Sequence, residues 1–186
     1  MATLTLSDSD DDDVEEEKNP HETPEKEILW AAAKGDIEIV KALVESNTAL
    51  VNVRDRDGYS PLHRACYENH LNIAELLLKH NARADALTNE LWQPLHSASR
   101  WNSSLCVALL LEWGVNVNAV TRGGLTPLHL ASSNSTAYDT LIVLLNHPLV
   151  DANILNSNGE TAYEISCRCG PYSRLFDLVN AALNII

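Results

Sequence analysis

The sequence predicts an all-α solenoid of about five stacked repeats. Pro-Leu-His tripeptides begin at Pro61, Pro94 and Pro127, so the same motif recurs every 33 residues. A fixed period of this size is typical of repeat proteins, in which each unit completes the hydrophobic core of its neighbour. A strongly apolar segment follows each tripeptide, which predicts a second helix in every repeat.

The first and last repeats depart from this motif. Residues 25–54 carry Glu27–Ala32 where the tripeptide would stand, and residues 156–186 carry Thr161-Ala162-Tyr163. Terminal repeats of a solenoid are atypical because only one of their faces is covered by a neighbour. Both segments are therefore predicted to cap the array.

Repeat two, residues 55–87, is the most regular. Asp57-Gly58 predicts a tight turn that requires a positive φ. Ser60 is a suitable helix cap, and Pro61 suits the first helical position. Leu71 to Leu78 then predicts a strongly apolar second helix.

Repeats three and four, residues 88–120 and 121–155, follow the same plan. Repeat three has Leu91 in place of the turn glycine and Gln93 in place of the capping Ser or Thr. Repeat four restores both consensus residues and is two residues longer, and such insertions map to loops.

These segments resemble the ankyrin repeat family. The resemblance rests on Thr126-Pro127-Leu128-His129 with Ala131, on the leucine-rich second helices and on Gly114-Val115-Asn116-Val117-Asn118-Ala119, and it covers about residues 25–186. It implies paired antiparallel helices joined by hairpin-like turns, and a protein–protein interaction module without catalysis. The Lys26–Ala32 and Trp92–Ala98 segments further resemble one particular member of that family, and this closer resemblance implies a nuclear or nucleocytoplasmic adaptor connected with transcription regulation.

The formal net charge of −13 is unevenly distributed. Residues 1–26 carry ten acidic residues and two lysines, so this short segment has a net charge of −8. Few apolar residues offset that repulsion, which predicts a disordered acidic tail over residues 1–24. The remaining chain is also mildly acidic, which argues against direct binding of nucleic acid.

The composition limits the cellular setting. No apolar stretch approaches the ~18 residues that a membrane-spanning helix needs, and the first residues lack the pattern of a secretory signal. We therefore expect a nuclear or cytoplasmic protein, or one that occupies both compartments, that does not bind membranes and has reduced cysteines. At 20.5 kDa the chain could enter the nucleus by diffusion.

The ankyrin resemblance implies that a partner binds the concave side, at the turns before Thr-Pro and at the ends of the first helices. In this chain the candidate partner-binding residues are Arg56, Asp57, Tyr59, Tyr67, Glu68, Asn89, Glu90, Trp92, Arg100, Trp101, Arg122, Leu125 and Asn134. Aromatic residues make up only 5% of the chain, yet four of them fall in this set. Trp, Tyr and Arg dominate binding hot spots, so the set predicts a protein-binding surface. The alternative is that some of these rings fold back and cover neighbouring repeats.

Three histidines raise the question of a metal site. His63, His96 and His129 occupy equivalent places in successive repeats. Stacked helices lie ~8–10 Å apart, whereas zinc needs every ligand within ~2.0–2.1 Å, so a regular stack cannot bring the three to one ion. We expect each ring instead to bond near its helix start, with Ser60 or Thr126, and we expect neither cofactor nor metal.

Cys167 and Cys169 form the only close pair of cysteines in the sequence. Without a second pair they make a poor zinc site, so one buried and one exposed thiol are expected. A redox switch at this pair is the alternative. Trp30 and Trp113 are expected to be packing residues. No nucleophile, base and acid can be placed together, so we expect no enzyme.

The sequence thus favours a non-catalytic adaptor that is monomeric when free and binds a protein partner through the concave face of repeats two to four. An alternative is a chaperone-like escort that shields a basic client with the acidic tail. The tail could also lie along the concave face and compete with a partner.

Overall fold

The computed structural model describes residues 21–177. The predicted acidic tail lies outside the described residues up to residue 20, and residues 178–186 of the fifth repeat lie outside them as well. Every regular element between residues 21 and 177 is helical, which confirms the predicted all-α solenoid.

The helices follow one another in pairs, one pair for each predicted repeat. The pairs are α1 (Pro24–Lys34) with α2 (Ile37–Ser46), α3 (Pro61–Tyr67) with α4 (Leu71–Lys79), α5 (Pro94–Arg100) with α6 (Ser104–Glu112), α7 (Pro127–Ser132) with α8 (Tyr138–Leu145), and α9 (Ala162–Cys169) with residues 174–177. A short 3-10 helix, Thr48–Asn52, follows α2.

The first helices begin at side-chain caps. Ser60 Oγ accepts a hydrogen bond from the His63 backbone N–H at 3.4 Å, which satisfies one of the free donors at the start of α3. Thr161 caps α9 in the same way, and Glu164 takes the place of the histidine by accepting from the Thr161 N–H at 2.7 Å. The terminal repeat therefore begins its helix with an ordinary capping box and needs no proline.

The helices are arranged in two layers. The first helices α1, α3, α5, α7 and α9 pack on one another in that order, and α2, α4, α6 and α8 form the second layer. Leu62, Leu95 and Leu128 are almost fully buried at equivalent places in the core between the layers. Burial of one such leucine contributes roughly 1.5–3 kcal/mol, and it requires a neighbouring repeat on each side.

His63 and His129 each connect their repeat to the next, whereas His96 bonds within repeat three. His63 Nδ1 accepts from the Ser60 N–H at 3.1 Å, so Nε2 carries the proton and donates to Trp92 O at 3.0 Å. His96 donates to Ala119 O at 3.0 Å, and His129 makes the corresponding bond to a carbonyl of the fifth repeat. The predicted bond near the helix start is confirmed for the first of these histidines.

His129 repeats the arrangement of His63 two repeats later. Its Nδ1 accepts from the Thr126 N–H at 3.1 Å and lies 2.7 Å from the hydroxyl of the same residue. The prediction that this histidine bonds to Thr126 at its helix start is therefore also confirmed.

Two tryptophans behave differently from one another. Trp30 packs against the core, as expected, with its ring 4.8 Å from that of His21. Trp113 is 50% exposed, so the prediction that it is a packing residue was wrong. It is the residue directly after α6, at the end of the helix.

Candidate protein-binding cleft

Three hairpin-like turns, which we call the finger turns, precede α3, α5 and α7 and comprise residues 55–59, 88–92 and 121–125. Each is closed by a bond from its first N–H to its last carbonyl, at 2.9–3.0 Å. Gly58 has a φ of +87°, and a Cβ there would lie 2.9 Å from the Cα of Thr88 in the next turn. The close approach of the Thr88 backbone therefore requires glycine at position 58.

The last residue of each finger turn differs between repeats. The residues are Tyr59, Trp92 and Leu125, and all three are half-buried. A fixed backbone thus presents a variable side chain at the same place in each repeat, and two of the three are aromatic.

The ends of the first helices supply the other half of the surface. Tyr67 and Trp101 are 39% and 48% exposed, and their ring centroids lie 4.8 Å apart. These two residues come from successive repeats and form one aromatic wall. The alternative was that some rings cover neighbouring repeats. Each of these two rings covers part of the other, but both remain partly exposed.

These two sets of residues enclose one cleft of about 320 Å³. Six predicted residues line it together with three that were not predicted: Asp57, Tyr59, Tyr67, Trp92, Arg100 and Trp101, with His63, Arg64 and Ser97. The volume lies at the lower end of the range for ligand pockets, which suits a single anchoring side chain. The cleft joins repeats two and three.

The position of Ser97 explains why the cleft exists. Arg64, Ser97 and Leu130 occupy equivalent places in α3, α5 and α7, 33 residues apart. Serine is the smallest of the three, and its buried hydroxyl has no hydrogen-bond partner in the described part of the chain. Sequence analysis missed this residue, although comparison of the three repeats at this one position would have revealed the change in size.

Arg64 is a second residue that sequence analysis missed. Its guanidinium donates to Asp55 Oδ2 at 2.6 Å and lies over the ring of Tyr59 at 5.1 Å. Burial raises the pKa of Tyr59 above its ordinary value, although Arg64 acts in the opposite direction, so the phenol stays neutral. The charge of Arg64 is therefore already paired within the protein.

Arg100 is in a different electrostatic position. Its guanidinium lies 5.6 Å from the ring centroid of Trp101 and donates to Ser133 Oγ at 2.9 Å. It forms no ion pair with any carboxylate in residues 21–177. Two arginines line the cleft. Among these residues Arg64 has an acidic partner and Arg100 has none.

Several other predicted residues join neighbouring finger turns. Asn89 Nδ2 donates to Arg56 O at 2.9 Å, and Arg122 donates to Asn89 O at 2.9 Å. Arg122 also lies 3.6 Å from a carboxylate oxygen of Glu90. All four residues are exposed, and together they form a polar rim beside the cleft.

The remaining predicted residues lie apart from the cleft lining. Glu68 is exposed beyond α3, and Leu125 is half-buried in the third finger turn. Asn134 donates to Arg100 O at 3.0 Å and accepts from the Thr136 N–H at 2.9 Å, so its amide orders the loop after α7. Their part in partner binding stays a prediction.

The histidines are buried and neutral. Burial lowers the pKa of His63 and of His96 to about 4, because the charged form would lose its hydration, although the backbone bonds act against this shift. Burial also lowers the pKa of His129. Within residues 21–177 no group of three or more His, Cys, Asp or Glu side chains could hold a metal ion.

Cys167 and Cys169 are both exposed. The expectation of one buried and one exposed thiol was therefore wrong, because the exposed side of α9 includes both positions. The described helices also include none that is long and apolar enough to cross a membrane.

Comparison with known proteins agrees with this architecture. Family models described as ankyrin repeats match residues 28–121, with three copies, and residues 109–166, with many copies. These two matches together cover most of the described helices.

The chain also resembles proteins named ankyrin repeat domain-containing protein 49. It is 47% identical to the protein from Bos taurus, over 98% of this chain and 81% of the bovine chain. It is 46% identical to the protein from Homo sapiens, over 98% of this chain and 80% of the human chain. The Lys26–Ala32 and Trp92–Ala98 segments predicted this likeness, which is confirmed. The stacked helix pairs, the family models and these relatives together establish that the chain belongs to the ankyrin repeat family.

Proposed function

We propose that this protein is a non-catalytic adaptor that binds a partner protein through the concave face of repeats two to four. Ankyrin repeats are protein–protein interaction modules, and the observation that supports this face is the cleft between repeats two and three. Six predicted residues line that cleft, and four of them are aromatic. Aromatic and arginine side chains around a pocket are the usual composition of a binding hot spot.

The adaptor acts in transcription regulation and occupies the nucleus, the cytoplasm or both. The likeness to ankyrin repeat domain-containing protein 49 carries this part of the proposal. Its binding partner is a protein, and neither nucleic acid nor a membrane takes part directly. The protein is a monomer until that partner binds.

Capture of partners from cell extract tests the proposal. The baits are the full-length chain, a Tyr59/Trp92/Trp101→Ala variant and a Trp101→Ala variant, which changes only an exposed ring. Trp113→Ala is a matched control, because Trp113 is as exposed as Trp101 but does not line the cleft. Thermal unfolding of every bait shows whether it is folded.

We expect quantitative mass spectrometry to find partners that the full-length chain and Trp113→Ala retain equally. The same partners should be lost with the triple variant and reduced with Trp101→Ala. Equal retention by all four baits would exclude the cleft as the binding surface.

The acidic residues of the first 26 positions favour a second function, the escort of a basic client. A full-length variant with Asp10, Asp11, Asp12 and Asp13 changed to Asn separates the two functions. An escorted client should be lost with this variant, and its capture should weaken steeply with added salt, since exposed charges are screened. A partner that binds the cleft should survive the change.

A further inference from the structure

We infer that the cleft recognises an acidic side chain of the partner, held by Arg100 and Ser97 of α5 and flanked by an apolar residue that packs on the aromatic wall. This inference rests on the proposed function, since it specifies which peptide chemistry the proposed surface selects. It follows from the unpaired polar groups, the aromatic walls and the distribution of charge in the cleft.

The two polar groups lie on the same helical face. Ser97 and Arg100 are three residues apart on α5, a spacing that places side chains side by side, and both line the cleft. Ser97 is 1% exposed, and its buried hydroxyl has no hydrogen-bond partner among residues 21–177. An unpaired buried hydroxyl is unfavourable, and a ligand atom that accepts its proton would remove that penalty.

Arg100 supplies the charge. Its guanidinium has five N–H donors in a planar fork, and within residues 21–177 it makes a single hydrogen bond, to Ser133 Oγ, and lies over the face of Trp101. A carboxylate fits such a fork and can accept two parallel hydrogen bonds. Arg64 is less suited to this role, since Asp55 already pairs with it at 2.6 Å.

The aromatic residues define what must flank the acid. Tyr67 and Trp101 form a wall with ring centroids 4.8 Å apart, and the half-buried ring of Trp92 lies on the finger-turn side. These surfaces are apolar, so an aliphatic or aromatic side chain next to the acid would bury them. The cleft volume of about 320 Å³ has room for one such anchor.

Other charges nearby limit the number of acids in the ligand. Asp57 lines the finger-turn side of the cleft and directs a ligand carboxylate towards the Arg100 side. Glu68 and Glu90 are exposed close by, and the whole chain carries a net charge of −13. A long acidic run would be repelled, which favours a partner with one acid beside a hydrophobe over the acidic segment of this chain.

Selection from a displayed library of random 12-residue peptides tests the inference. The full-length chain is the target, and the full-length Ser97→Leu variant is used to remove peptides that bind elsewhere. Leucine is the residue that α7 carries at the same position, so this change fills the cleft with a side chain that the repeat accommodates. We expect the enriched peptides to share a single Asp or Glu next to an aromatic or aliphatic residue.

The enriched peptides then go through a double-mutant cycle in which their acid is changed to the amide and Arg100→Gln is made in the protein. Each change alone should weaken binding by roughly ten- to a hundredfold, as loss of a charged hydrogen bond does. The second change should then add little, because both remove the same contact. The peptide change leaves the fold of the protein untouched, so its effect does not depend on the stability of Arg100→Gln.

The outcomes separate the two claims. The carboxylate site would be overturned if the peptides that need the cleft contain no acid. It would also be overturned if Arg100→Gln and the peptide change to the amide act independently. Either outcome leaves the proposed binding surface standing. Enrichment only of peptides that end in a free carboxylate would also overturn it, in favour of a chain terminus. Tighter peptide binding by more than about threefold when Asp10–Asp13 are changed to Asn would make the acidic segment of this chain the occupant. Failure to enrich any peptide over Ser97→Leu would overturn both claims.

Discussion

Repeats three and four share one backbone plan and differ at many matched positions around the cleft. Four of these pairs are Leu91 and Gly124, Gln93 and Thr126, Ser97 and Leu130, and Trp101 and Asn134. In repeat four each of these residues suits its local structure. Thr126 Oγ1 caps the helix, glycine occupies the position with a φ of +69°, and Leu130 is buried at 5% exposure.

Repeat three is less well satisfied at the same places. Leu91 has a φ of +60°, a conformation that is strained for a bulky residue. Four buried side-chain polar atoms lack a partner within residues 21–177, and three belong to repeat three: Gln93 Oε1, Ser97 Oγ and Ser99 Oγ. The comparison shows that the residues of repeat three beside the cleft are not those that would make the repeat most stable. Strain and unpaired groups concentrate where a protein interacts with something else.

The largest predicted effect concerns the histidines that the repeats have in common. The pKa of His63 and His96 is about 4 in the folded protein, below the ordinary 6.5, so protonation favours the unfolded chain. Their contribution is fully present above about pH 6.5 and is lost as the pH falls towards 4. The two together should lower the free energy of unfolding by about 4 kcal/mol between pH 7 and pH 5.

Urea unfolding at pH 7, 6 and 5 measures this dependence. Exposed carboxylates titrate mostly below that window, and a His96→Gln variant should show about half the slope. A free energy that changes by less than about 1 kcal/mol over the window would contradict neutral, buried histidines.

Transfer of the leucine of repeat three into repeat four should destabilise the protein by about 3 kcal/mol. In Gly124→Leu the new Cβ would lie 3.0 Å from the Ser157 N at a φ of +69°. Gly114→Leu is the matched control, because Gly114 has a φ of +77° but no atom within 4 Å of a Cβ. We expect the control to lose only about half as much in chemical denaturation. Equal losses would show that finger-turn packing contributes nothing.

The reverse change at the helix cap should stabilise repeat three. Gln93→Thr removes a buried carbonyl oxygen without a partner and restores the cap that Thr126 provides in repeat four. We expect a gain of about 1.5 kcal/mol in the free energy of unfolding. Thr126→Gln in repeat four should lower the free energy of unfolding by a similar amount. If both variants were more stable than the natural chain, Gln93 and Thr126 would not have equivalent roles at their helix starts.

The smallest predicted effect is at the finger turn of repeat three. Leu91→Gly relieves the positive φ but adds freedom to the unfolded chain, so we expect a net gain of about 0.5–1 kcal/mol. Differential scanning calorimetry can resolve this as a rise in the melting temperature. A lower melting temperature would mean that the Leu91 side chain stabilises the turn.

Much of the fold could be predicted from the sequence because its signals are local and repeated. Gly58 in its turn, the Ser60 cap and Pro61 at the first helical position each act locally, and the recurrence of Pro-Leu-His every 33 residues fixes the repeat. Side-chain exposure at the edges was harder to predict. Trp113 and the thiols of Cys167 and Cys169 were misjudged because spacing along a helix does not show where packing ends.

The sequence predicted the aromatic residues that line the cleft but not the smaller and charged residues between them. Tyr67 and Trp101 could be assigned because the family resemblance implies which positions face a partner. Ser97 and Arg64 were missed because each repeat was considered singly, whereas the cleft results from the difference in size among Arg64, Ser97 and Leu130 in neighbouring repeats. The pairing of Arg64 with Asp55, which leaves Arg100 as the arginine without an acid, also depends on side-chain geometry.

The central claim, that the cleft in repeats two and three is the partner site, is tested most directly by filling it. The measurement is the dissociation constant of a captured, purified partner for the full-length chain and for Ser97→Leu. Because Ser97 is itself buried, the larger side chain is expected to cost about 1–3 kcal/mol, and chemical denaturation shows whether Ser97→Leu remains folded under the binding conditions. We predict that binding to Ser97→Leu is weaker by tenfold or more, which corresponds to about 1.4 kcal/mol. Dissociation constants within twofold of each other would contradict the claim.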